Sequence, residues 1–159
     1  MYLSNTVSKF SWVSIVIFPL ICALSAGCTS RHVAPCKSFI ELPLEQQQAR
    51  FKTCPLEQQL ELYHCAMRQS PPIMGYEYEI AGHGEKIVPI LIEKLRIEKE
   101  DDSKLELIRI LQVMSKRTDV HNKQDMIEQV GRSVSSIRFY QMRQKAQDMF
   151  EDIKKNSAG

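Results

Sequence analysis

The sequence predicts an all-α protein built of stacked helical hairpins, and three observations carry that prediction. From Leu56 to Ile153 the apolar residues recur at spacings of three and four, the period of one helix face. Pro43, Pro55 and Pro89 stand near the starts of these stripes, where a missing backbone N–H costs least. No run alternates apolar and polar residues between turn signals, so no strand pattern competes.

The first 27 residues read as an address segment. Residues 1–9 are polar with one cation, Lys9, and an apolar run from Phe10 to Leu24 follows, closed by small residues. That is the layout of a secretory signal. The run is short for a bilayer span, which takes ~20 apolar residues, and Pro19 interrupts it. Residues 28–41 show no sustained period and read as a tether, with Phe39 and Ile40 docked on the body.

A local echo opens the body: Pro43-Leu44-Glu45-Gln46-Gln47, then Pro55-Leu56-Glu57-Gln58-Gln59. Each proline suits the first helical position, and each glutamate complements the positive helix end. The first helix offers Leu44, Ala49 and Phe51. The second places Leu56, Leu60, Tyr63 and Met67 on one face. Ser70-Pro71-Pro72 ends this hairpin. A short helix is expected over 75–81, stopped by Gly82-His83-Gly84.

Residues 85–117 form the next unit. Ile87, Val88, Leu91 and Leu95 make one face, and Lys99–Asp102 make a turn. Ser103-Lys104-Leu105-Glu106 has capping-box spacing, so the next helix is expected to open at Ser103 and to carry Leu107, Ile108, Leu111 and Met114. Two stripes follow, Met126, Ile127, Val130, Val134 and Ile137, then Phe139, Met142, Ala146, Met149 and Ile153. The step from 137 to 139 breaks register and predicts a tight turn at 136–139. Three hairpins, at about 43–69, 85–117 and 123–155, satisfy the need of a helical stack for about three units.

Two resemblances follow from these residues. Leu24-Ser25-Ala26-Gly27-Cys28 resembles the lipobox of bacterial lipoproteins, with Ser25 where an aliphatic residue is usual and Leu24 one place further back. The resemblance implies cleavage by signal peptidase II and a thioether between Cys28 and a diacylglycerol, a bond that among common side chains only a thiol forms. Thr29 replaces the aspartate that retains such proteins in the inner membrane. The same resemblance therefore implies the outer membrane, facing the periplasm. Val88-Pro89-Ile90-Leu91, Leu95, Asp101-Asp102 and Leu107-Ile108-Arg109-Ile110-Leu111 resemble one HEAT repeat, about a quarter of the chain. That family implies a short solenoid of hairpins that acts as a scaffold or binding surface. The organisation expected is 1–27 signal peptide, 28–42 tether and 43–156 HEAT-like domain.

The 132 residues from Cys28 onward suffice for one core. The address segment holds one of 21 basic residues and none of 19 acidic ones, leaving a net charge of +1. That balance gives no support to nucleic-acid binding. Residues 129–147 hold Arg132, Arg138, Arg143 and Lys145 without an acid, a pattern read as a solvated helix face in preference to a contact with anionic lipid.

Four cysteines survive cleavage, at 28, 36, 54 and 65, and with Cys28 acylated three thiols enter an oxidising compartment. If 43–53 and 55–68 pack antiparallel, Cys54 lies at the turn and Cys65 returns toward the end from which Cys36 enters. Cys54 and Cys65 stand ~16 Å apart along the helix, beyond the ~7 Å that a disulfide tolerates. Cys36–Cys65 is the expected pair, leaving Cys54 as a buried or unpaired thiol.

Chemical motifs lose to structural readings. His64 and Cys65 are adjacent on a helix and point ~100° apart. His32, Cys36, His64, Cys65 and His83 lack paired metal-ligand spacing. Glu77 and Glu79 read as solvated, and Gly82-His83-Gly84 follows no strand, as a phosphate cradle would. No cofactor and no catalytic residue is expected. The reading is a non-enzymatic binding or scaffold module, held to the lipid bilayer through acylated Cys28 and meeting an envelope protein. Tyr76 and Tyr78, beside Pro71 and Pro72, are the candidate contact surface. The alternative is a periplasmic thiol-redox or metal-handling protein using Cys36, Cys54, His64 and Cys65. Metabolic palmitate labelling tests the anchor: the wild type should label and Cys28→Ala should not.

Overall fold

The computed structural model describes residues 34–117 and 123–157. All lie within the unit Val33–Gly159. The elements are α1 (Ala34–Ile40), α2 (Leu44–Thr53), α3 (Leu56–Met67), α4 (Tyr76–Ala81), α5 (Val88–Ile97), α6 (Asp101–Ser115), α7 (Lys123–Ser136) and α8 (Tyr140–Ser157). A single 3₁₀ turn, Glu85–Ile87, leads into α5. The fold is all-α, with no strand among the described residues. No helix among them is long and apolar enough to cross a membrane.

The tether expected over 28–42 is corrected from residue 34 onward, where the chain forms α1; residues 28–33 lie outside the described residues. Phe39 on α1 is fully buried and α1 packs along α3. At seven residues the helix is too short to display a repeating apolar face. Short helices take their stability from tertiary packing.

Pro43 and Pro55 occupy the caps of α2 and α3, each with extended ψ. The last glutamine of each echo then does the same job. Gln47 Nε2 donates to the carbonyls of Ile40 (3.1 Å) and Leu42 (2.8 Å), and Gln59 Nε2 donates to Phe51 O (2.9 Å). Each amide clasps the end of the preceding helix to the start of its own. Their oxygens face the segment around α4: Tyr76 Oη donates to Gln47 Oε1, and His83 Nε2 lies 2.7 Å from Gln59 Oε1. Both glutamines are buried, and a buried amide is tolerated because these bonds satisfy it. The stripe expected on α2 is corrected accordingly: Phe51 and Gln47 face inward, while Leu44 and Ala49 are exposed.

Gly75 precedes α4 with φ +110°, a left-handed conformation that favours glycine. Pro89 sits in the first turn of α5. Helix α6 opens at Asp101, two residues before the expected capping box, and has no side-chain cap. The Asp101 carboxylate is used elsewhere. Its Oδ2 accepts the backbone N–H groups of Arg138 (2.9 Å) and Phe139 (3.3 Å), between α7 and α8. Lys104 Nζ stands 3.8 Å from its other oxygen and donates to Ser136 Oγ at 2.9 Å.

Helix α6 packs against α3, α4, α5, α7 and α8, and Ile108, Ile110, Leu111 and Met114 are fully buried on it. Helices α4, α6 and α8 lie side by side, and α5 rests on α7. From α7 the core receives Met126, Val130 and Val134, then Ile137 from the turn; from α8 it receives Ala146 and Ile153. Gly131 allows close approach, since a Cβ there would meet the Phe150 ring at 3.0 Å. Phe139 departs from its expected stripe: it precedes α8 and is 63% exposed.

Burial opposes ionisation of Asp101. The N–H groups of Arg138 and Phe139, with the charges of Arg138 and Lys104, outweigh it and hold the carboxyl below its ordinary 3.8. A depressed folded-state pKa stabilises the fold above the unfolded value, and that contribution is lost as pH falls through the folded value. Asp101→Asn should therefore lower the melting temperature at neutral pH. The gap from wild type should narrow below about pH 4 in melts followed by circular dichroism.

Candidate ligand groove

A groove of about 360 Å³ lies between α3 and the α5–α6 hairpin. Helix α3 contributes Glu57, Leu60, Glu61, Tyr63 and His64. The facing hairpin contributes Lys94, Ile97 and Glu98 from the end of α5 and its turn, then Ser103, Glu106 and Leu107 from α6. The spacing 57, 60, 61, 64 is one face of a helix, and 103, 106, 107 is another. Leu60 and Leu107 are almost wholly covered and form an apolar base, while Ile97 is 60% exposed.

The two walls are joined by His64 Nδ1 and Glu106 Oε2, 2.6 Å apart. Their side chains are 28% and 11% exposed, so the contact is shielded on the carboxylate side. Tyr63, beside this pair, is buried, and its Oη has no hydrogen-bond partner among the described residues. Burial pushes its phenol well above the ordinary value; Glu77 and Glu106 add to the rise and Arg109 opposes it.

Cys36 and Cys65 are joined as a disulfide with Cα atoms 5.4 Å apart. The pairing arises differently from the expected hairpin. Helix α1 carries Cys36 against α3, and α3 packs more extensively on α1 than on α2. Closing a loop across a separation of 29 residues stabilises by about 3.6 kcal/mol in the chain-entropy account. Cys54 stays outside the disulfide, half-buried between α2 and α3.

The other sequence candidates are dispersed. His64 pairs with Glu106, and the Cys65 sulfur is bonded to Cys36, so the adjacent His-Cys pair presents no thiolate to the imidazole. His83 pairs with Gln59. No group of three or more His, Cys, Asp or Glu side chains gathers as a metal site among the described residues. His32 and Cys28 lie outside those residues.

The carboxylates on α4 differ from each other. Glu77 is buried and accepts the Gly75 N–H at 2.9 Å, which corrects its solvated reading, while Glu79 pairs with Lys52 at 3.3 Å. The tyrosine surface is corrected at one of its two positions. Tyr76 is 4% exposed, stacked on Phe51 with ring centroids 4.3 Å apart and tilted against Phe39 at 5.9 Å. It belongs to the core, and a partner cannot reach it in the folded domain. Tyr78 is 64% exposed. Two residues along a helix turn the side chain by ~200°, which puts the two rings on opposite sides of α4.

The sequence carries two signals of the groove. Ile97 lies off the α5 stripe, an apolar residue with no place on the buried face. Glu57 and Glu61 stand one turn apart as like charges. Neither signal names the opposite wall, because α3 and α6 meet across more than forty residues of chain. The chain matches no protein-family model, no curated protein and no solved structure. The two tyrosines separate in a melt: Tyr76→Ala should destabilise by ~3–5 kcal/mol, as buried aromatic truncations do, and Tyr78→Ala by less than ~0.5 kcal/mol.

Proposed function

We propose that this chain is a lipid-anchored envelope lipoprotein whose helical body binds a protein partner and catalyses no reaction. The observation that carries this reading is the groove between α3 and the α5–α6 hairpin, an apolar base with charged walls. Such a base with convergent polar groups is the usual form of a recognition site. His64 and Cys65, the residues best suited to other chemistry, are engaged in contacts that tie α3 to α6 and to α1.

The side-by-side placement of α4, α6 and α8, with α5 on α7, supports the HEAT-like part of the reading, in which successive hairpins present a continuous surface. The signal-like segment and Cys28 support the anchor, on an outer membrane facing the periplasm. The competing redox reading requires the Cys36–Cys65 bond to open and close during the protein's work.

Chemical crosslinking in intact envelopes tests the reading. The wild type should give a discrete adduct with one envelope protein, and Cys28→Ala, released from the membrane, should give much less of it. Cys36→Ser/Cys65→Ser should keep the adduct in the fraction that folds. An adduct that dithiothreitol dissolves, and that the double serine variant never forms, would replace binding with thiol exchange.

A further inference from the structure

Resting on that reading, we propose that the groove between α3 and the α5–α6 hairpin is the docking site for a lysine- or arginine-rich amphipathic segment of the partner. The charge on its walls argues for a cationic occupant. Glu57 and Glu61 are exposed, one turn apart on α3, and make no ion pair among the described residues. Like charges at this spacing repel, and a cation docked between them removes the repulsion. Across the groove, Glu98 is fixed in place because its Oε1 accepts the N–H groups of Lys99 (2.7 Å) and Glu100 (2.9 Å). Apart from the His64–Glu106 pair, three carboxylates therefore face a single lysine, Lys94.

The apolar component sets the other half of the occupant. Leu60 and Leu107 line the base, and Ile97 stands largely exposed beside them. A volume of about 360 Å³ is at the small end of ligand pockets and takes anchor side chains from a longer segment. An amphipathic helix laid in a groove meets this description, with apolar anchors on one face and cations flanking them. The basic surface around Arg138 and Tyr140 is a weaker candidate for an anionic partner. Arg138 lies 3.9 Å from Asp101, and Arg132 lies 3.9 Å from Glu128.

The test uses the purified full chain in non-ionic detergent and a fluorescein-labelled amphipathic peptide of leucine and lysine, followed by anisotropy. Wild type should bind saturably, and the same peptide with glutamate in place of lysine should not bind. Glu57→Lys/Glu61→Lys should weaken binding by about tenfold or more, as loss of close interfacial charge pairs does. Glu57→Gln/Glu61→Gln should fall between, and both pairs are exposed enough to leave the core intact. Glu45→Lys/Asp125→Lys, exposed positions away from the groove, should match wild type and control for net charge. Absence of binding to wild type, or equal weakening by the groove and control reversals, overturns the proposal. A wild-type dimer in sedimentation that the groove reversal dissolves assigns the site to a second copy of this chain instead. Envelope crosslinks that persist in the groove reversal would leave the binding module standing and place its contact elsewhere. Loss of crosslinks in the wild type itself would remove the module reading.

Discussion

Helix α6 is the constraint on which the structure depends. It touches α3, α4, α5, α7 and α8, so the other helices that pack on it find their places relative to one another through it. Its buried residues extend from Asp101 and Lys104 through Leu107, Ile108, Ile110, Leu111 and Met114 to Ser115, a wider arc than one neighbour requires. Each fully buried aliphatic side chain contributes ~1.5–3 kcal/mol. None of the neighbouring helices α3, α4 and α5 exceeds 12 residues, and helices this short are marginal alone in water. They persist because α6 supplies a common apolar surface.

Around that surface the ends of helices are joined by buried polar side chains rather than by local caps. Gln47 and Gln59 reach back to the carbonyls of the preceding helix and outward to Tyr76 and His83. Asp101 leaves its own helix uncapped and accepts the N–H groups at the α7–α8 turn. An unmet buried donor costs ~1–3 kcal/mol, so each of these contacts penalises any arrangement that separates its partners. Apolar packing allows some sliding of one helix over another. These polar contacts remove that freedom.

The same logic gives the groove its form. The disulfide holds α1 on α3, and the His64–Glu106 contact holds α3 to α6. With both walls tied, the helices that carry the acidic side chains are held together, and Glu57 and Glu61 stand exposed without an ion pair among the described residues.

The sequence by itself determined the helices, because a period of three and four is local and visible along the chain. The stripes of α3, α5 and α6, the helix of residues 76–81 before Gly82, and the break between α7 and α8 were all legible for this reason. Helix α1 was not, since seven residues with Phe39 as their buried anchor show no period and depend on α3 for support. Tertiary structure alone decided which of Tyr76 and Tyr78 faces the core, that Asp101 serves a turn 37 residues away, and that Glu106 meets His64 instead of capping its own helix. Each of these is a contact between positions distant in the chain. Side-chain partners at such separations leave no periodic trace in the sequence, because they depend on how helices cross rather than on where helices form.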